Sequence, residues 1–489
     1  MIPLFSRASF SSPAPPAGAP AGALPVAGGA PAVTDQTGDA GLGGLRRSAA
    51  IGCVLAAVVL VVLDAVIVNL ALPAIAHSLQ VSPAASVRVV TAYQMALVMT
   101  LLPCAVLGES LGFRRVYSAG VALFSAASAL CAFAPSLSIL LAARFLQGLG
   151  GAAILSLGIA LLRFVVPQGQ LGAAIAWNTL AVALASAAGP TLGALVLSSA
   201  SWPWLFALNL PVGALVLFGT RALPQVSGTG RPLDPISVGL NAAAFAALVV
   251  GAEWIAERGA AAALVLAAGA LCLFALIRRE LPRPFPMVPL DLLRRGSFRV
   301  SVIASVTGFV GQSAAMVSLP FYLQHGLGLN VLQTGLLMTP WPLTVAAVAP
   351  IAGRLANRIS GGWLCALGGT LLAAGLASTA VLPLHGSPTA LAALLALSGA
   401  GFGLFQVSNN RNLFLSAPRS RSAAAGGLQS TARLTGQTVG AVLMTVLFTM
   451  MPLELAPRVG LGLAALLTLM AGMISLLRVG APPPAAGAA

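Results

Sequence analysis

Fourteen apolar stretches, each about 20 residues long, run one after another through this chain, and that is the length a helix needs to cross the hydrocarbon of a bilayer. They lie at approximately 49–76, 87–107, 116–134, 137–162, 171–197, 202–222, 235–254, 260–278, 298–320, 331–350, 361–383, 389–413, 425–450 and 459–478. Charged residues make up 7% of the sequence, where an ordinary soluble domain has about 25%. Too little polar surface is left to cover a globule in water. A soluble enzyme is excluded, and the chain reads as an all-α, multi-pass integral membrane protein with 14 transmembrane helices.

All 25 basic residues are arginine, and the net charge is +15. In a soluble protein such an excess would suggest nucleic acid. Membrane proteins instead collect basic residues in cytoplasmic loops, so no nucleic-acid partner is expected. With the amino terminus placed inside, twenty arginines fall on the inner side, and the outer loops hold only Arg88, Arg258 and Arg458. Arg144 and Arg433 fall within spans. One missed helix would scramble this asymmetry, so both termini are expected to be cytoplasmic; "inner" and "outer" below follow this assignment. The three histidines, His77, His325 and His385, fall outside.

Residues 1–48 are rich in Pro, Ala and Gly, lack a signal-peptide core, and read as a disordered cytoplasmic tail; 479–489 reads the same way. The five cysteines are odd in number and never spaced CxxC, which points to neither a disulfide framework nor a zinc site. The P-loop is impossible without lysine, and no hydrolase motif occurs. No cofactor or metal is expected. Any transport would be driven by an ion gradient or be passive.

The turn Leu107–Arg115 after the second span is echoed by Gly353–Arg358 after the tenth. The two turns correspond only if spans seven and eight are inserted between two six-helix halves. The expected organisation is a bundle over 49–222, two inserted helices and a loop over 223–297, and a second bundle over 298–478. Such repeats are a common transporter plan.

Four segments carry a family resemblance: Leu63–Pro73 in span one, the turn at 107–115, Arg144-Phe145-Leu146-Gln147-Gly148 in span four, and Gly189-Pro190-Thr191-Leu192-Gly193 in span five. Trp202–Phe206 with Asn209–Gly213 adds to them. Together they resemble the major facilitator superfamily, in its fourteen-helix branch of drug–proton antiporters. The turn departs from the family pattern: Glu109 stands for Asp, Ser110 for Arg and Ala105 for Gly, and Asn357 replaces the acid in the second copy. The resemblance implies a 6 + 2 + 6 fold in a bacterial inner membrane. It also implies proton-coupled export of amphipathic, cationic small molecules by alternating access. A proton-coupled importer on the same fold is the alternative, and a non-transporting receptor lacks an extramembrane domain to support it. Partnership with a periplasmic adaptor is left open.

Asp64 is the strongest candidate for chemistry. It lies about 17 residues beyond Arg47, near mid-bilayer, where a carboxylate costs about 2.5–3.5 kcal/mol on insertion scales. Intramembrane acids are functional by default, and this one suits proton exchange provided it meets a water-accessible cleft. Arg144, at similar depth, needs a partner and is expected to bridge to Asp64. Glu109, Gly112, Arg114 and Arg115 form an expected cytoplasmic gate. Gly189, Pro190 and Gly193 give span five a kink and a bare face for a moving seam. Gln147, Gln312, Met316, Met338 and Trp341 are candidate cavity residues, Met being adaptable to varied apolar shapes. Pro340 and Pro342 are expected to kink span ten. Asn409, Asn410, Arg411, Arg433 and Gln437 are candidates for an inner gate. Glu253, Trp254, Glu257 and Arg258 read as an anchor at the outer interface.

Overall fold

The computed structural model describes residues 42–226, 228, 234–282, 290–356, 358–382, 387–418 and 421–478. The tails, Asn357 and His385 lie outside these residues. Seventeen α-helices account for the described chain, with no strand among the described residues. They are α1 (Gly44–Ser78), α2 (Pro83–Leu111), α3 (Phe113–Ala132), α4 (Leu137–Val165), α5 (Gln168–Ser199), α6 (Pro203–Ala207), α7 (Asn209–Gly219), α8 (Pro235–Glu253), α9 (Gly259–Glu280), α10 (Leu290–Leu293), α11 (Gly296–Phe321), α12 (Val331–Met338), α13 (Pro340–Leu355), α14 (Gly361–Val381), α15 (Pro388–Leu415), α16 (Ser422–Met450) and α17 (Ala456–Leu476).

Thirteen helical segments among the described residues are long and apolar enough to cross a membrane. The remaining expected span, 425–450, forms the 29-residue α16, which is not among the thirteen. Its inner half carries Gln429, Ser430, Thr431, Arg433 and Gln437, which dilute its apolar content. The chain is a multi-pass membrane protein.

Helix α1 starts at Gly44, inside the segment 1–48 that the sequence reading assigns to the tail. Arg46 and Arg47 hold that first turn: Arg46 Nε donates to the Ala222 carbonyl at 3.2 Å, and Arg47 Nη1 to Gln170 Oε1 at 3.1 Å.

Proline decides where spans break. Pro211 has no N–H to offer the carbonyl four residues back, and the sixth span divides at Leu208 into α6 and α7. Pro340 and Pro342 likewise divide the tenth span at Thr339, where a kink was expected. Pro190 is different: it lies inside α5, which runs without interruption from Gln168 to Ser199. Past Pro320, α11 ends in a π-helical turn over Tyr322–Gly326.

The apolar cores are unevenly shared. Toward the outer end, one cluster joins Ile67–Ile75 of α1 and Val87–Val90 of α2 to Phe309–Phe321 of α11, Met338, Trp341 and Phe448 of α16. Toward the inner end, α1–α4 have their own cluster, whose single member from α11–α17 is Leu434. The inner ends of α11 and α15–α16 form another, around Phe298, Leu413 and Leu428. The first seven helices and the last seven thus share one apolar cluster outside, while their inner clusters are distinct and meet where α16 lies on α2, at Leu434 and at Gly427 beside Leu102.

Candidate functional site

Asp64 and Arg144 meet at 2.6 Å with side chains only 1% exposed. Helix α1 supplies the acid and α4 the base. They come close because Gly148, one turn from Arg144, lies against the Tyr93 carbonyl and Ala96 of α2, and a Cβ there would overlap that backbone. Arg144 Nε donates to the Val89 carbonyl at 3.2 Å. Its guanidinium stacks 4.2 Å from the centre of the Tyr93 ring and 5.6 Å from that of Phe206.

The carboxylate has two further donors. Gln147 Nε2 reaches Asp64 Oδ1 at 2.9 Å, and Asn209 Nδ2 reaches the same oxygen at 2.8 Å. Gln147 Nε2 also donates to Ser128 Oγ at 2.8 Å, while Gln147 Oε1 accepts from Arg144. Ser128 Oγ in turn donates to the Phe124 carbonyl at 2.8 Å. Asn209 holds its place because it starts α7, directly after the break at Leu208. Every hydrogen-bonding position of the Gln147 amide is filled. Two amide donors and a guanidinium suit an ionised carboxylate, since a protonated acid would bring its own O–H among N–H groups.

All of these partners come from α1–α4, α6 and α7. The carboxylate therefore faces the interior of the first bundle rather than the space between bundles. It meets no water-accessible cleft in this state, contrary to what the sequence reading required, because two amides and the guanidinium take its oxygens and leave the side chain only 1% exposed. Gln147, proposed from sequence as a cavity residue, is instead fully buried in this network. Ser128 and Tyr93 carry no sequence signal for this role, and Phe206 and Asn209 enter the sequence reading only as parts of a motif; the signal at Asn209 is an amide in a proline-broken apolar run.

The other candidates lie elsewhere. Gly112 joins α2 to α3 at φ +102°, a left-handed conformation that favours glycine, and a Cβ there would stand 3.0 Å from the Val226 carbonyl. Glu109 and Arg115 are exposed beside it and Arg114 is half-buried. Gly189 and Gly193 receive Val66 and Ile67 of α1. On another side of α5, the Pro190 backbone and Ala194 press on Gly335 of α12, and the Thr191 and Thr339 hydroxyls bond at 2.6 Å. Met338 and Trp341 are buried in the shared outer core, whereas Gln312 and Met316 of α11 are half-buried.

Asn409 donates to the Ser301 carbonyl at 3.1 Å and accepts from Arg478 at 3.0 Å, Gln429 donates to Asn410 at 3.2 Å, and Arg411 donates to the Ala356 carbonyl at 2.7 Å. Arg433 and Gln437 are half-buried. At the outer end, Thr91 donates to Glu253 at 2.6 Å and Arg88 to Glu257 at 3.0 Å, which ties α8 to α2, while Arg258 lies over the Trp254 ring.

Comparison with known proteins agrees with this architecture. The family profile described as Major Facilitator Superfamily matches residues 54–441 and 301–489. The chain is similar to the uncharacterized transporter YebQ of Escherichia coli (strain K12), with 42% identity over 89% of this chain and 96% of the relative. It is also similar to the multidrug resistance protein Stp of Mycobacterium tuberculosis (strain CDC 1551 / Oshkosh), with 31% identity over 81% and 75%. The riboflavin transporter RibZ of Clostridioides difficile (strain 630) shares 27% identity over 79% and 85%.

Proposed function

We propose a mechanism that starts from one premise: this chain belongs to the Major Facilitator Superfamily, whose members are transporters rather than enzymes. In our reading it is a proton-coupled exporter of amphipathic small molecules in a bacterial inner membrane. It is built as six helices, two inserted helices and six more, and both termini are cytoplasmic. The multidrug resistance relative Stp supports efflux. The observation that carries proton coupling is the sealed Asp64–Arg144 pair, the one acid–base pair held at mid-membrane among the described residues.

The fused outer core and divided inner cores fit the inward-facing state, with Asp64 ionised and locked to Arg144. Cargo enters from the cytoplasm between the bundles. Rocking parts the outer core, and the outer ends of α1, α4 and α6 loosen around Asp64. A proton arriving from outside neutralises the carboxylate and frees Arg144. Return to the inward state restores the donors around Asp64 and expels the proton inside. The membrane potential gives about 2.3 kcal/mol per charge per 100 mV, and this sustains roughly a 50-fold gradient of a neutral cargo per proton. The cationic cargo that the resemblance implies would need a carboxylate free to attract it, and Asp64 is already paired with Arg144.

The relative RibZ, a riboflavin transporter by name, keeps a second reading in view, in which this chain imports a nutrient. Proton movement separates the two. Cargo added to purified protein releases protons in an antiporter and takes them up in a symporter. The test in cells is expression of wild type and Asp64→Asn in a pump-deficient strain. Raised tolerance to at least one charge class in a panel of anionic, neutral and quaternary ammonium compounds, collapsed by an uncoupler and missing in the variant, is the expected outcome. Tolerance undiminished in the variant refutes the role of Asp64.

A further inference from the structure

Three charged side chains lie near mid-membrane in this fold, and two of them, Asp64 and Arg144, neutralise each other. The third is Arg433. It is the twelfth residue of the 29-residue α16, about 17 Å in from the inner end at about 1.5 Å per residue. Among the described residues it makes no hydrogen bond or ion pair. A guanidinium at that depth needs a counter-charge or water.

The direction of its face follows from its neighbours on α16. Gly436 and Gly440 press against Val306 and Val310 of α11. Leu434 joins the inner core of the first bundle, and Gly427 meets Leu102 of α2. Arg433 and Gln437, one turn apart, lie on the arc between those two contacts. The 47%-exposed Val439 lies on the far side of the helix. Arg433 therefore looks toward the space between α11 and α2, that is, between the two bundles. The antiparallel contact of Gly427 with Leu102 sets Arg433 opposite Ala96, within a turn of Gln94. The buried side-chain oxygen of Gln94 has no partner either.

We propose that Arg433 is the recognition point for an anionic group on the cargo, with Gln437 beside it, so that the transported compounds are amphipathic anions such as carboxylates or sulfonates. This rests on the transporter reading above, and it gives that reading a cargo charge opposite to the one expected from sequence. The anionic group would supply the counter-charge that the protein withholds.

The test is equilibrium binding to the purified full-length protein in nanodiscs, with no gradient. The probes are dansylglycine, its methyl ester, and a dansyl compound bearing a quaternary ammonium. A charge-assisted hydrogen bond in a partly desolvated site predicts that wild type binds the carboxylate about tenfold or more tightly than the ester. Arg433→Gln should erase that preference and Arg433→Lys should retain much of it. Binding is read with no proton gradient and coupling by efflux in the Asp64→Asn strain, so failure of the coupling mechanism and failure of this proposal give different results. Equal binding of the three probes by wild type, preference for the ammonium compound, or an unchanged preference in Arg433→Gln overturns the proposal. Full competition by acetate or chloride at the probe's own concentration also overturns it, because the site would then read small anions rather than cargo.

Discussion

Asn209 donates to Asp64 Oδ1 across 2.8 Å from the first residue of α7, and it can do so because Pro211 breaks the sixth span one residue earlier. The break converts an apolar helix face into a polar cap for the one acid at mid-membrane. Asn209→Leu keeps the branched outline and removes the donor. It is expected to cost about 1–3 kcal/mol, the penalty for a buried acceptor left short of a partner. Thermal unfolding of the purified protein checks this.

The charge pair itself yields a double-mutant cycle. Asp64→Asn leaves Arg144 buried without a counter-charge, and Arg144→Gln leaves Asp64 in the same position. Each is expected to destabilise by about 3–5 kcal/mol. The double variant removes both charges and should be more stable than either single one. A double variant whose loss equals the sum of the singles would mean that the pair has no coupling.

How much of this was readable without coordinates depended on whether lipid or charge set the constraint. Spans were legible because a helix must cross a fixed hydrocarbon thickness, and the breaks at 208 and 339 followed prolines. The pairing of Asp64 with Arg144 was foreseeable because neither charge tolerates hydrocarbon alone. Helix facing was not legible: a helix in lipid is apolar on its inner and outer sides alike, so no periodicity told Met338 and Trp341, buried in the shared core, from the half-exposed Met316. Ser128 gave no signal, since serines recur throughout the spans. Asn209 lay in view, but its partner depended on a break whose geometry only coordinates supply.

The seam between α5 and α12 allows a prediction about switching. A Cβ on Gly335 would overlap Ala194 and the Pro190 backbone, so Gly335→Val should wedge the outer closure apart. A cysteine introduced at Ala76, buried beside the cleft that Pro73 and Phe321 line, should then react several-fold faster with an impermeant thiol reagent. Equal rates with and without the wedge would show that this seam does not hold the outer end shut.

Gly112→Ala probes the inner turn. Its φ of +102° and the nearby Val226 carbonyl predict a loss of about 1–3 kcal/mol, again read by thermal unfolding. Transport should fall with it if the turn gates the cytoplasmic side.

Gradient-driven accumulation in proteoliposomes tests proton coupling through Asp64 most directly. Wild type, Asp64→Asn and the Asp64→Asn/Arg144→Gln double variant would be reconstituted and assayed with anionic, neutral and cationic amphipathic dyes. The account predicts that a pH gradient drives accumulation in wild type alone, while gradient-independent exchange survives in the double variant. Accumulation by Asp64→Asn equal to that of wild type would contradict it.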